Sequence, residues 1–367
     1  MENTISDKNR ISADVNAFPS LTWHHLHINH GHFEGNIDSE ASFTASNLPE
    51  NVEITRVPLD QNLLDEKIRT QMGEDFDEEI ERTARENGIQ ANLISIKKGS
   101  HAEKNARITF NADSMKNQAA ETVIVAGEDS ASSFVFEYIG SGSGEGTFGH
   151  RIRALCAPGA KLSISTVNLL GKNMSCYNGI GAVQKENSSF SLIQVDLGAK
   201  NTVTGSYIVL EGYQAESSVK NGYLSKENQN IDINYVARHE GKETKSAATA
   251  NGVMDGKSKK AWRGTIDFIT GCTDASGDEQ ENVLLLNPEA VNKSMPVILC
   301  GEESVDGRHG STVGKLDENE LLYLGTRGID KETARTMMIK SRINAVSRCI
   351  DDESTKEKIE DFLKDAL

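Results

Sequence analysis

The chain has little of what marks several classes of protein. No apolar run reaches the ~18 residues that a membrane-spanning helix needs, and the N-terminus lacks the basic-then-apolar pattern of a secretory signal. Basic residues are in the minority, since 39 Lys and Arg stand against 55 Asp and Glu, a formal net charge of −16. Such a surface repels phosphate backbones and anionic lipids. We therefore expect a cytoplasmic protein that binds neither nucleic acid nor membrane.

Cysteine and aromatic residues are scarce as well. The five cysteines are dispersed without a CxxC pair, which argues against a disulfide framework or a zinc knuckle, so each is interpreted as a buried small hydrophobe. They are Cys156, Cys176, Cys272, Cys300 and Cys349. Aromatic residues make up 5%, and 31 Gly outnumber 6 Pro, which favours many tight turns in a repetitive β architecture. With Trp23 and Trp262 as the two tryptophans, the chain is poor in the aromatic platforms of a carbohydrate-cleaving enzyme.

Hydrophobic periodicity divides the chain into three parts. Residues 1–104 are predicted to be partly helical, because apolar residues recur every four positions between residues 62 and 87 and Gly88 follows as a stop. Residues 105–314 hold short apolar or alternating runs, which are typical of strands. Residues 315–367 return to a helical period, with Asp330 as the predicted N-cap of a long helix.

The central part contains a recurring Gly-containing turn, as at Pro158–Lys161, Leu197–Lys200 and Thr270–Thr273. The intervals between these turns are irregular, so the pattern does not predict a clean solenoid repeat. Nearly two hundred residues of short strands without long helices still require a sandwich, a barrel or a β-helix.

Histidine is concentrated near the N-terminus, where residues 23–32 (WHHLHINHGH) hold five of the nine histidines. This spacing could bind a transition metal, but no acidic or cysteine ligand lies within the run, and adventitious affinity for nickel or zinc is the alternative. Elsewhere the sequence has no GxSxG elbow and no HExxH motif. The run Ser141–Gly146 lacks the Lys–Ser/Thr pair of a phosphate-binding loop and is interpreted as a turn.

Four segments in order carry a resemblance to a known family. Ala261–Ile266 (AWRGTI) is similar to the "FxGxI" strand of the SufB/SufD family of iron–sulfur cluster assembly proteins, and Thr273–Leu286 to its Asp-Ala…Gln…Asn-Leu-Leu-Leu stretch. His309–Asp317 (HGSTVGKLD) resembles its "HGATVGxLD" motif, and Leu322–Ile329 (LYLGTRGI) its "FYLxSRGI". Upstream, Pro19–Trp23 is like the short Trp-bearing opening of SufD-type chains.

The resemblance implies a mainly β fold, a right-handed parallel β-helix flanked by N-terminal and C-terminal helical regions. It also implies a non-catalytic scaffold or iron-delivery subunit that pairs with a SufB-type partner or a second copy of itself. The C-terminal helices would dock onto a SufC-type ABC ATPase, and iron or an iron–sulfur cluster would be held only transiently. A homodimeric scaffold acting with the ATPase alone is one alternative, and a β-helical polysaccharide-active enzyme is another.

The resemblance also implies site residues. His309 matches a histidine that SufD-type subunits place at the core interface, a candidate ligand for iron or a cluster, although Gly307 stands where the family usually has a cysteine. A structural histidine satisfied by backbone groups is the alternative. The candidate ATPase-docking segment comprises Leu322, Tyr323, Leu324, Arg327 and Ile329. The same segment would also suit a helix that packs on the end of the β-helix.

Overall fold

Short strands joined by tight corners stack into two parallel sheets that face each other. We describe residues 9–20, 27–59, 68–112, 116–140, 144–315 and 318–367 of a computed structural model. The chain alternates between the two sheets and builds a parallel β-solenoid of about eight turns, which confirms the expected fold class.

The strands and helices are as follows. The first sheet runs, in spatial order, through β5 (Val52–Val57), β6 (Ala91–Ile96), β8 (Gln118–Ala126), β10 (Thr147–Cys156), β12 (Ser175–Gln184), β14 (Asn201–Leu210), β16 (Asn230–His239), β18 (Lys259–Phe268) and β20 (Val291–Cys300), with β3 (Ser39–Glu40) paired to β8. The second runs through β4 (Phe43–Ser46), β7 (Ala106–Asn111), β9 (Ala131–Ile139), β11 (Lys161–Leu169), β13 (Ser189–Asp196), β15 (Glu216–Ser225), β17 (Lys245–Met254), β19 (Ala275–Leu285) and β21 (Val305–Lys315). A separate ribbon pairs β1 (Arg10–Val15) with β2 (Gly31–Asn36), and the helices are α1 (Glu74–Glu86), α2 (Glu318–Thr326), α3 (Lys331–Ser347) and α4 (Glu353–Ala366).

Parallel register holds the turns together. Alternate side chains of every strand point into the solenoid, and residues in register stack on one another. In the second sheet, one such stack runs from Phe134 through Ile164 and Leu192 to Val219. All four are at most 5% exposed. Burying each of these large side chains stabilises the fold by roughly 1.5–3 kcal/mol.

The two outer faces of the solenoid are covered by different ends of the chain. The β1–β2 ribbon and α1 cover the first sheet, where Phe33, Phe76 and Tyr177 meet edge to face. Helices α3 and α4 cover the second sheet and bury Ile343 and Leu363 against its valines. This arrangement gives the N-terminal and C-terminal helical elements that the sequence predicts.

The helix predicted between residues 62 and 87 is shorter than expected. Helix α1 begins at Glu74, after Gly73, whose φ of 109° lies outside the helical region. Ile68 and Met72 are buried but lie upstream of the helix, and residues 62–67 are outside the described part of the chain. The prediction of one continuous helix from the apolar period was therefore wrong. Gly88, at φ 66°, ends the helix as predicted.

The irregular turn intervals have a simple explanation. Successive strands of the first sheet begin at residues 118, 147, 175, 201, 230, 259 and 291, so one turn takes 26 to 32 residues. The predicted turns mix two kinds of corner: Pro158–Lys161 and Thr270–Thr273 lead from the first sheet to the second, whereas Leu197–Lys200 leads back. The chain therefore has a structural repeat that the sequence analysis did not detect.

The N-terminal region also contributes strands β1–β6, which the sequence analysis did not predict. The boundaries predicted at residues 104 and 314 stay predictions.

The predictions for the C-terminal helix cap and for the cysteines were partly correct. Asp330 does cap α3, because its side chain accepts a hydrogen bond from the Thr333 N–H at 2.9 Å. Three cysteines are buried as expected, but Cys300 and Cys349 are exposed. Cys300 ends an edge strand, and Cys349 lies two residues beyond the last residue of α3, Ser347. No helix in the described part of the chain is long and apolar enough to cross a membrane.

The buried carboxyl of Asp196 makes stability depend on pH. Asp196 ends β13 and accepts a hydrogen bond from Asn221 Nδ2 at 3.1 Å, and burial raises its pKa to about 7. The folded state therefore retains a proton that the unfolded state loses above its pKa of about 4. The stabilisation that this retained proton gives is complete below about pH 4 and is lost as the pH rises to about 7. The loss is on the order of 4 kcal/mol at most.

We predict that Asp196→Asn, which cannot ionise, becomes more stable relative to the unsubstituted chain as the pH rises from 5 to 8. Urea unfolding at a series of pH values measures this difference. Asp306→Asn at an exposed position is the control, because its carboxyl is solvated in both states. Parallel stability curves for Asp196→Asn and the unsubstituted chain would contradict the prediction.

Candidate functional site

The solenoid ends in two strands that are each paired on one side within the described chain. β20 pairs with β18, and β21 pairs with β19. β21 is exposed along almost its whole length, with Val313 at 48%. The free edges of these strands carry backbone groups that can pair with another chain. Pro296 within β20 fits this position, because proline is tolerated at the edge of a sheet.

His309 lies in the middle of β21 at this open end. It is in register with Glu279 of β19 and is exposed. Its neighbours at alternate positions face the interior: a Cβ on Gly307 would meet Phe268, and the Ser311 hydroxyl donates to Glu281. Strand alternation therefore places the imidazole on the inward side of the last turn.

A buried ion pair lies beneath the last turn. Lys260 of β18 bonds to Glu281 of β19, and both side chains are completely buried. Tyr223 donates its hydroxyl to the same carboxylate at 3.1 Å, and the Lys260 ammonium lies 3.1 Å from Ser294 Oγ. Burial lowers the pKa of Lys260 to about 8 in spite of the favourable charge of Glu281. Sequence periodicity could not have identified this pair, because its members are 21 residues apart.

A second carboxyl, that of Glu279, has a different environment. It is 2% exposed, and its Oε2 has no hydrogen-bond partner. A Cβ on Gly264 would come within 2.5 Å of that oxygen, so only glycine leaves the space the carboxyl occupies. Burial raises the pKa of Glu279 well above its usual range, because the apolar surroundings disfavour the charged form.

No group of three or more metal-binding side chains is arranged around an ion position in the described parts of the chain. At the end of β20, the other edge strand, the Cys300 Sγ donates to the Glu302 carbonyl oxygen at 3.1 Å. The role of His309 as a ligand stays a prediction. A site at this edge needs donors from outside the described chain.

The predicted docking segment forms a surface of its own. Leu322 and Tyr323 on α2 are 69% and 58% exposed, and the Arg327 guanidinium lies 5.3 Å from the centre of the Tyr323 ring. Leu324 and Ile329 are half-buried and are joined by a backbone hydrogen bond of 3.1 Å. Gly328, at φ 82°, ends the turn after α2. Asp317, which ends the HGSTVGKLD segment before α2, is outside the described residues.

Comparisons with known proteins connect this architecture to one family. The family model of the SufBD core domain of the SUF system for iron–sulfur cluster assembly matches residues 108–342. This range begins within β7 and includes every later strand of the solenoid, through β21. A chloroplastic SufBD family protein of Arabidopsis thaliana is 27% identical over 211 residues, 55% of this chain and 38% of that protein. The SufD protein of Bacillus subtilis is 24% identical over 242 residues, 65% of this chain and 55% of that protein. The matched region thus spans about a third to just over half of these relatives.

The contribution of the Lys260–Glu281 pair to the stability of the last turns can be measured directly. We predict that Lys260→Met lowers the free energy of unfolding by about 3–5 kcal/mol, because it leaves the Glu281 carboxylate buried without its cation. The double variant Lys260→Met/Glu281→Leu should recover most of this loss. Lys259→Met, at the exposed neighbouring position, is the matched control. Denaturant unfolding measures all three; equal effects of the two lysine substitutions would refute the importance of the pair.

Proposed function

We propose that this chain, which belongs to the SufBD family of iron–sulfur cluster assembly proteins, is a non-catalytic scaffold or iron-delivery subunit of a SUF complex in the cytoplasm. It would pair with a SufB-type subunit or a second copy of itself and be coupled to a SufC-type ABC ATPase. Iron or a nascent cluster is the cargo of such a complex and is held transiently.

The observation that carries the proposal is the pair of free edges at β20 and β21. Each interior turn satisfies its backbone groups through the turns on both sides, whereas the last turn has one such neighbour among the residues that the structure describes. A partner with matching strands would extend both sheets across the interface. Val291 and Val313, which are 42% and 48% exposed, would then be buried.

His309 on the inward side of the last turn is suited to a shared site. A neutral imidazole nitrogen binds iron and exchanges readily, which transient cargo requires. Because the described residues do not bring three such ligands together around one ion position, the partner subunit would supply the remaining donors. Pairing of the edges and formation of the site are then the same event.

Helix α2 is the surface proposed for the ATPase. Leu322 and Tyr323 expose an apolar patch, and Arg327 adds a cation that stacks on the tyrosine ring. Large apolar side chains beside an arginine are typical of interface hot spots. Helix α3 continues from this patch onto the outer face of the second sheet. Movement of the ATPase would therefore be transmitted to the solenoid.

We predict that Leu322→Ala/Tyr323→Ala lowers recovery of the ATPase at least tenfold. The measurement is anaerobic affinity purification of the chain from its native extract, with identification of the proteins that accompany it. Tyr213→Ala is the matched control, because Tyr213 is 41% exposed on a solenoid corner away from α2. Recovery of the unsubstituted chain alone, without ATPase or iron, would contradict the assembly role and favour the alternative of a β-helical enzyme.

We predict that His309→Ala lowers the iron and acid-labile sulfide that copurify with the complex by severalfold, while the ATPase is retained. His101→Ala, an exposed histidine on another turn, should leave both unchanged. Equal iron and sulfide in His309→Ala and the unsubstituted chain would make His309 a structural residue. The same preparation distinguishes a second family member from a second copy of this chain by mass.

A further inference from the structure

The exposed face of the β1–β2 ribbon places carboxylates beside the histidine-rich segment. In the antiparallel register Asp14 is opposite His32, and Ser12 is opposite Glu34. These four side chains share the face turned to solvent, whereas Phe33 on the other face is buried against the solenoid. The acidic groups that the histidine run itself lacks are therefore supplied by the strand opposite and by the following residues.

One carboxylate orients two of the histidines. Asp14 Oδ1 lies 3.0 Å from His32 Nδ1, and Oδ2 lies 3.3 Å from His30 Nδ1, which is also 3.2 Å from the Gly31 carbonyl oxygen. We assign the protons of both rings to Nδ1, because each Nδ1 faces an acceptor. Metal-binding histidines are commonly held in this way, with one ring N–H on a carboxylate and the other nitrogen free to bind.

The distance between His32 and Glu34 fits a shared ion. His32 Nε2 lies 3.6 Å from Glu34 Oε1. Two ligands about 2.1 Å from a tetrahedral metal ion are separated by about 3.4 Å. Two neighbours compete for these atoms, since Ser12 Oγ is 3.4 Å from Nε2 and Arg10 Nη2 is 3.5 Å from the carboxylate. The competing ion pair is exposed and weak, worth roughly 0–1 kcal/mol.

The three described histidines of the segment line one groove. It has a volume of about 640 Å³ and extends from His27, His30 and His32 to Lys293 of β20. The segment is fixed at this position because Arg263 Nε donates to the Ile28 carbonyl oxygen at 3.0 Å, and Lys293 Nζ to that of His27 at 3.2 Å. The groove therefore connects the ribbon to the edge of the solenoid.

We propose that this groove binds one late first-row divalent cation, of the Fe²⁺, Co²⁺, Ni²⁺ and Zn²⁺ class, through His32, Glu34 and His30, with Asp14 as the positioning residue. Imidazole and carboxylate ligands together favour these ions over Mg²⁺ and Ca²⁺. The side chains do not yet converge on one point in the described chain. His30 and His32 are 51% and 48% exposed, so an ion can reach both from solvent.

Titration of the full chain with Co²⁺ tests the proposal, followed by visible absorption and by calorimetry. We expect one ion per chain, with the strong visible bands of four-coordinate cobalt. His32→Ala and Asp14→Asn should each lower the affinity at least tenfold. Asp14→Asn is the sharper variant, because it retains every histidine. His101→Ala is the matched control and should bind as the unsubstituted chain does.

Two outcomes would overturn the proposal. One is unchanged cobalt affinity in both Asp14→Asn and His32→Ala. The other is loss of binding only when His24 and His25 are replaced, which would assign the ion to the histidine run as an adventitious site. Circular dichroism and thermal unfolding establish that the variants fold, with Glu34→Gln as a second variant should His32→Ala unfold. His309→Ala should retain cobalt binding, so the result is separate from the scaffold role.

Discussion

Parallel register between successive turns is the constraint on which the rest of the structure depends. Every strand inside the solenoid has its backbone groups satisfied by the turn before and the turn after, and its inward side chains stack in the same order. The first and the last turn of such a stack each have a neighbouring turn on one side only. At its beginning the sheets are continued by antiparallel strands β4 and β5, whereas β20 and β21 at its end are parallel strands with one partner each within the described residues. The two ends therefore differ, because only the last turn presents both sheets in the parallel register of a further turn.

The interior of the solenoid is not uniformly apolar. Near its beginning it is filled by phenylalanines, and His150 is held neutral there between Thr122 and Tyr138, since burial lowers its pKa to about 3. In the middle and last turns, Asp196, Glu279 and the Lys260–Glu281 pair occupy buried positions. Buried ionisable groups cost stability unless they are paired, and apolar replacements of a buried ion pair are often as stable or more stable. The Lys260–Glu281 pair and Glu279 lie beside the end that carries His309.

Much of the architecture was predictable because it depends on local signals. Short alternating runs predicted the strands, Asp330 predicted the start of α3, and four ordered segments predicted the family. What the sequence did not reveal depends on tertiary contacts. The apolar period between residues 62 and 87 is interrupted at Gly73, yet Met72 before it and Phe76 after it are buried in the same cluster against the first sheet. The exposure of Cys300 and the partnership of Asp14 with two histidines follow from strand pairing alone.

The covering of the second sheet by α3 and α4 has a consequence for synthesis on the ribosome. The valines on that outer face begin at Val135, but Leu363, which packs in the same cluster, follows about 230 residues later in the chain. At the usual rate of about 5–20 residues per second, the growing solenoid exposes this apolar face for roughly 10 to 45 seconds. The Arg107–Asp352 ion pair, with an N–O distance of 3.0 Å, also joins residues that are far apart in the chain, so it forms only after a similar delay. Until α3 and α4 emerge, the apolar outer face of the second sheet is exposed on the nascent chain, and such exposed surface favours aggregation.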